Sequence, residues 1–194
     1  IGYDLLTVLL LDLSGSVFET DSLGPLVDAA KAFATNLTAE EHYISIHHFD
    51  GRATTEKLID FTKDKDSLLK ALDSVLQKSP VDNSTNLNGA VVDALAILDE
   101  KNFDSEALVF DGSLVVFTDG TDQAGIVENS VALDVVKGST HTLYTIGLGG
   151  EVDTTHLEGL GKSGSFLAGD INELEAAFDL SATEVLRQLS LIHI

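Results

Sequence analysis

The 194-residue sequence has no cysteine, methionine or tryptophan, only two prolines, and 11 basic residues against 32 acidic ones. Without cysteine there are neither disulfides nor thiolate metal sites. The shortage of basic residues leaves a formal net charge of −21. Such a surface repels nucleic acid phosphates and anionic headgroups, so nucleic acid is excluded as a partner and a basic or metal-mediated partner is favoured. Long apolar runs are missing too: the longest, Leu5 to Leu11, contains Thr7. It falls well short of the ~20 residues a membrane helix needs, which argues against direct membrane insertion. The chain starts at Ile1 without methionine or a signal peptide and reads as a fragment of a longer protein. Its last residues, Leu189 to Ile194 (LSLIHI), resemble either a translated sequencing-adapter tail or an ordinary apolar helix end, so His193 carries no functional weight.

What is present is ample apolar material. Hydrophobic residues make up 44% of the chain, and the length suits one α/β domain, expected over 1–190. Tyr3 to Leu11 is a nearly continuous apolar run stopping at Asp12, as a central parallel strand buried on both faces would. Pro25 stands near the start of a helix that aligns Leu26, Ala29, Ala30, Phe33 and Leu37. Tyr43 to Phe49 and Thr54 to Phe61 read as strands joined at Asp50-Gly51, forming a hairpin. Leu68, Leu69, Leu72, Val75 and Leu76 fall in helical register before Pro80, as do Leu87, Ala90, Val91, Ala94, Leu95 and Leu98 after the polar loop at 80–86. Further strands are expected at Leu114–Phe117, His141–Leu148 and Ser165–Ala168. Helices are expected near 127–137 and 154–160, and a last helix opens with Asn172 and Glu175 at capping-box spacing. Strands alternating with helices predict a doubly wound, mainly parallel sheet with helices on both faces and one antiparallel edge strand.

Open α/β sheets bind ligands beyond the carboxyl ends of their strands. Asp12-Leu13-Ser14-Gly15-Ser16 follows the first strand, Thr85 lies in the loop before a helix, and Asp119 ends the strand at 114–118. Asp12, Ser14, Ser16, Thr85 and Asp119 offer oxygen and no nitrogen or sulfur, the donor set of a hard cation such as magnesium. Only two of the five are charged, so an ion there stays electrophilic and ready for a carboxylate from outside. Gly15 is expected to let the backbone turn tightly between the serines.

The run Asp12-Leu13-Ser14-Gly15-Ser16 resembles the DxSxS signature of the metal-ion-dependent adhesion site in von Willebrand factor A and integrin I domains. Ser84-Thr85-Asn86 with Gly89-Ala90, and Phe117-Thr118-Asp119-Gly120, match that family's second and third loops in type and order. The resemblance covers nearly the whole chain. It implies Ser14, Ser16 and Thr85 as direct ligands of Mg2+ (or Mn2+ or Ca2+), Asp12 and Asp119 as direct or water-mediated ones, and a partner's Glu or Asp completing the shell. Asn83-Ser84 precedes Thr85 where many members carry glycines, a departure that could stiffen or reposition the loop.

Blander roles compete for each residue: a capped turn for Asp12, Ser14 and Ser16, a helix N-cap for Thr85, a plain turn for Asp119. Glu19, Asp21, Asp50 and Asp122 read as solvated surface acids near the same rim. His47 and His48 point to opposite faces of one strand, and without a second imidazole at ligand spacing no zinc site is assigned. The N-glycosylation patterns at Asn36 and Asn83 are taken as chance, the second because a glycan there would crowd Thr85. An enzyme is not expected: the motif segments hold no Lys or Arg to neutralise phosphate, no P-loop and no positioned general base. The expected function is a metal-dependent module that binds a protein or matrix ligand presenting Asp or Glu, extracellular or at the cell surface of a bacterium. The alternative is a cytoplasmic assembly module partnering an AAA+ ATPase.

Overall fold

The computed structural model describes residues 3–104 and 109–192. The chain runs β1 (Tyr3–Asp12), α1 (Gly15–Glu19), α2 (Leu23–Thr38), β2 (Tyr43–Phe49), β3 (Glu56–Thr62), α3 (Lys65–Val75) and α4 (Leu87–Asp104). It continues with β4 (Val109–Thr118), α5 (Asn129–Gly138), β5 (Thr142–Leu148), α6 (Thr154–Leu160), β6 (Gly164–Ala168) and α7 (Leu174–Ile192). His193 and Ile194 of the terminal LSLIHI segment lie outside the described residues, as do Ile1 and Gly2 at the other end.

The six strands form one sheet in the order β3-β2-β1-β4-β5-β6, parallel throughout except for the β2–β3 hairpin at one edge. This is the predicted doubly wound arrangement. Alternation along β1 divides its side chains between two cores. Leu9 and Leu11 join Phe33 of α2, Leu72 of α3 and Phe178 of α7 on one face. Leu6, Val8 and Leu10 join Val91 and Leu98 of α4, Val136 of α5 and Leu160 of α6 on the other. Every apolar residue predicted on the stripes of α2 and α4 is buried. Each such fully buried Leu, Val or Phe contributes about 1.5–3 kcal/mol relative to an exposed one. Among the described residues no helix is long and apolar enough to cross a membrane.

Three local features differ from expectation. The polar turn after β1 is the short helix α1, drawn inward because Val17 is fully buried and Phe18 packs on the core. β4 is longer than Leu114–Phe117 because Asp111, Gly112 and Ser113, which break the apolar pattern, still pair with Leu5, Leu6 and Thr7. At the entry to α7, which begins at Leu174, Glu175 stands in the first turn as expected, but Asn172 lies ahead of the cap position. Instead, Asp170 Oδ1 accepts the Asn172 amide at 2.8 Å and Glu173 Oε2 accepts the Gly169 amide at 2.6 Å.

Candidate metal centre

β1 and β4 lie side by side at the centre of the sheet, and the chain winds outward from them in opposite directions. Their carboxyl ends therefore flank the switch point, where neighbouring connections leave for opposite faces and open a crevice. Asp12 closes β1 and Asp119 follows β4, so the topology alone brings residues more than a hundred positions apart to one rim.

Asp12 is fully buried and held on both oxygens. Its Oδ1 accepts the Ser14 amide at 2.8 Å and its Oδ2 accepts the Thr118 hydroxyl at 2.7 Å. Burial pushes its pKa up to about 6, against the pull of the Ser14 hydrogen bonds and with a further push from the charge of Asp119. Asp119 is raised as well, chiefly by burial, while the hydrogen bond from Ser16 acts to lower it. Among the described residues, no basic side chain forms an ion pair with either carboxylate.

The hydroxyls close the ring. Ser16 Oγ donates to Asp119 Oδ1 at 2.7 Å and lies 3.4 Å from Ser14 Oγ. Ser14 occupies the N-cap position of α1, yet its hydroxyl makes no capping bond there. Thr85 is buried, with its Oγ1 3.9 Å from the point where a Cβ on Gly120 would stand. Its carbonyl accepts the amides of Gln123 and Ala124 at 2.8 and 3.0 Å, tying the second loop to the third. The capping role considered for Thr85 belongs to its neighbour: Asn86 Oδ1 accepts the Gly89 amide at 3.1 Å in the first turn of α4.

Gly15 serves differently from the expectation. It lies within α1, and a Cβ there would stand 2.7 Å from Asn83 Oδ1, so the glycine provides room rather than a turn. Gly51 does the same on the far side, where a Cβ would fall 2.4 Å from Asp82 Oδ1 and 2.6 Å from Ser84 Cβ. The bulk of Asp82, Asn83 and Ser84 is thus accommodated by glycines in the facing segments, and the loop keeps its place beside the serines.

Of the four surface acids, Asp50 departs from its reading. It is buried and clamped by Arg52, whose Nε reaches Oδ1 at 2.9 Å and whose Nη2 reaches Oδ2 at 2.8 Å. Asp122 is also engaged, accepting the amides of Asn88 and Gly125 at 3.0 and 3.1 Å. Glu19 and Asp21 are exposed as expected. Both His47 and His48 are buried, the first 2.8 Å from Ser45 Oγ and the second 3.3 Å from Glu56. Among the described residues no group of three or more His, Cys, Asp or Glu side chains is arranged to hold a metal ion; the rim centre pairs two carboxylates with hydroxyls instead.

Sequence reasoning missed the supports. Thr118, quoted only as part of a motif, anchors Asp12. Asn88 is completely buried and joins three segments: its Nδ2 donates to Val127 O at 2.9 Å and Asn129 Oδ1 at 2.8 Å, and its Oδ1 meets His156 Nε2 at 2.6 Å. An asparagine near a helix start carries no sequence signal of such long-range partners.

Residues 7–180 match the von Willebrand factor type A domain family. No curated protein sequence matches the chain significantly. Solved structures do. Proximal thread matrix protein 1 from the mussel byssus, determined with a zinc-occupied metal-ion-dependent adhesion site, superposes with a TM-score of 0.74 at 15% identity over 94% of this chain and 48% of that one. The von Willebrand factor domain of the type V pili tip protein Mfa5 from Porphyromonas gingivalis gives 0.70 at 14% identity, covering 97% of both chains. The pilus adhesin SpaC from Lactobacillus rhamnosus GG gives 0.72 at 13% identity over 96% of this chain and 30% of that one. At these identities the likeness is one of fold, and the chain spans about half of the mussel protein and less of the adhesin.

Proposed function

The chain belongs to the von Willebrand factor type A family, and from that premise we propose that it is a metal-dependent protein-binding module, part of a larger exported bacterial protein, that captures an acidic group of its partner. What supports this is the convergence of Asp12, Ser14, Ser16, Thr85 and Asp119, from three loops, at the switch point of the sheet. The donor set fits Mg2+, Mn2+ or Ca2+: oxygen throughout, with two carboxylates buried close together and no basic side chain bonded to either among the described residues.

In this reading Ser14, Ser16 and Thr85 present hydroxyls to the cation, and Asp12 and Asp119 supply the charge that matches it. A divalent cation bound there would supply an electrophilic site for a carboxylate of the partner. Thr118 and the Ser14 amide fix the orientation of Asp12, so that its oxygens need not reorganise on binding. Asn86 caps α4 through its own side chain, so that capping does not call on the Thr85 hydroxyl. The role is binding rather than catalysis, since no general base or phosphate-neutralising cation belongs to the motif segments. The pilus proteins among the structural neighbours support an extracellular or cell-surface setting.

The test is calorimetric titration of metal-stripped protein with magnesium, manganese and calcium, alongside Asp119→Ala and Ser14→Ala. One-site binding lost in both variants, with circular dichroism unchanged, is the expected result. No binding to the parent protein, or binding indifferent to both substitutions, would sink the assignment.

A further inference from the structure

The two edges of the sheet are defended unequally. An edge strand presents unpaired backbone N–H and C=O groups, which proteins blunt with charges, proline or bulges. β3 has such protection: it carries Glu56, Lys57 and Asp60, and its pairing with β2 shifts register twice. β6, Gly-Ser-Phe-Leu-Ala over Gly164–Ala168, has no charge, no proline and no register shift. Among the described residues it pairs with β5 alone. Its Leu167 is 50% exposed, an apolar side chain left in water on the open edge strand.

Charge narrows what can cover this edge. A chain with 32 acidic and 11 basic residues repels its own copies, so two copies can meet only where few like charges face each other. β6 itself carries none, and the residues flanking it are opposite in sign. Lys162 stands two residues before the strand and Asp170 two residues after it, both exposed. A two-fold axis through Phe166 would pair two β6 strands antiparallel over all five residues. In that register Gly164 opposes Ala168 of the second copy, Ser165 opposes Leu167, and Phe166 opposes itself as an aromatic cross-strand pair. The Lys162 end of each copy then lies beside the Asp170 end of the other, so both ends join opposite charges. A parallel arrangement would instead set Lys162 beside Lys162 and Asp170 beside Asp170.

We propose that the open β6 edge is a self-association surface, at which a second copy of this chain adds its own β6 antiparallel and the two sheets become one. The reversal sends the carboxyl ends of the parallel strands in opposite directions, so the two rim centres face away from each other. The pair is then a bivalent module able to hold two partners at once. That consequence rests on the metal-dependent function proposed above; the pairing itself does not. A five-residue edge makes a small interface of the transient class, so a dissociation constant of about 0.1 mM is expected.

The experiment is sedimentation equilibrium of the full chain from about 0.02 to 1 mM, a range that brackets the expected constant, in magnesium and in chelator. A monomer–dimer equilibrium is expected in both. Backbone amides of residues 164–168 should exchange with deuterium more slowly as concentration rises, and those of β3 should not. Lys162→Glu and Asp170→Lys, each alone, set like charges together at both ends and should weaken the pairing about tenfold. An equimolar mixture of these two variants restores opposite charges at both ends, so a mixed pair should form as tightly as the parent's. Leu167→Glu adds an acid to each edge and should also weaken pairing about tenfold. Its side chain is half exposed, so it keeps the test decisive if Asp170→Lys, which loses the bond to the Asn172 amide, fails to fold.

A chain that stays monomeric throughout overturns the proposal. So does a dimer indifferent to Leu167→Glu, since its contact then lies elsewhere, or a mixture of the two charge variants no tighter than either alone. A monomer whose β6 amides slow only when a capped Thr-Val-Thr-Val-Thr peptide is added would give the edge to an extended segment of another chain, and would overturn the second copy as its occupant. Magnesium titration by calorimetry keeps the two readings apart. Metal binding by a strict monomer overturns the pairing alone, and pairing by a chain that binds no metal overturns the metal centre alone.

Discussion

Replacing Asn88 with alanine tests whether the rim is held by one buried amide. The side chain is 0% exposed and makes three hydrogen bonds, to Val127 O, Asn129 Oδ1 and His156 Nε2. Because both Nδ2 hydrogens point at oxygens, Oδ1 must be the acceptor facing the ring, so His156 Nε2 carries the proton. The three losses are unequal. His156 is 7% exposed, and its N–H would lose its partner inside the protein, at a cost of about 1–3 kcal/mol. Val127 is half-buried and Asn129 exposed, so water replaces the amide there and each loss falls below about 1 kcal/mol. The expected destabilisation is about 3 kcal/mol, or a fall in Tm of roughly 6–12 °C for a chain of this size.

The backbone bond from the Asn88 amide to Asp122 survives the substitution, so the start of α4 keeps one of its ties and the loss reports the side chain. Urea unfolding of both proteins at pH 7 gives the difference directly, provided the slope with denaturant is unchanged. A loss smaller than about 1 kcal/mol at equal slope would mean that the network is slack or that water substitutes throughout, and the argument from burial would be wrong.

Thr118→Val removes the hydroxyl that donates to Asp12 Oδ2 while keeping the shape; magnesium affinity is expected to fall about tenfold by calorimetry, and an unchanged affinity would show that Asp12 needs no such anchor. Gly15→Ala sets a methyl against Asn83 and should cost about 1–3 kcal/mol in urea unfolding, a loss that Asn83→Gly in the same chain largely restores; independent, additive effects of the two changes would refute the contact. Burial holds His42 neutral, its pKa lowered from 6.5 to about 4, with its Nε2 2.7 Å from Thr7 Oγ1. The stability tied to that neutral form is complete above pH 6.5, where the unfolded chain is also neutral, and is lost as pH falls towards 4, by about 3 kcal/mol in all. Urea midpoints at pH 7, 5.5 and 4 should therefore fall less steeply for His42→Gln than for the parent, and parallel profiles would contradict it.

Elements that bury a periodic apolar face were readable from the sequence. The limits of β2 and α6 match the structure at both ends, and every stripe residue assigned to α2 and α4 is buried. Elements set by partners elsewhere in the chain were not. The first half of β4 contains Asp111 and Gly112, poor strand residues locally, and pairs only because β1 lies alongside. α1 is fixed by the burial of Val17, a single residue too short to show any period. Asp50 looked like a surface acid because nothing in its neighbourhood shows that Arg52 folds back on it from two residues away. At the rim, Asp12, Ser14, Ser16 and Asp119 are linked through hydrogen bonds and close hydroxyl contacts, since strand ends and loop order bring their segments together. The polar residues that hold them, Thr118 and Asn88, were illegible because a buried hydrogen bond between distant segments has no signature in either segment.

The charge distribution bears on how a partner must approach. With a net charge of −21, the chain repels an acidic ligand at long range, even though the proposed contact is with an acidic group. At physiological salt the field decays over about 8 Å, so an attraction confined to the metal centre acts only at close contact. Encounter must then be favoured by positive charge elsewhere on the partner, drawn in by the acidic surface of the chain as a whole. A partner whose acidic residue stands in a basic neighbourhood satisfies both requirements. Its association rate should fall as salt rises, whereas for a partner that is acidic throughout, salt would screen the repulsion and speed association. Stopped-flow association rates at two salt concentrations, measured once a ligand is in hand, separate the two cases by the sign of the salt dependence alone.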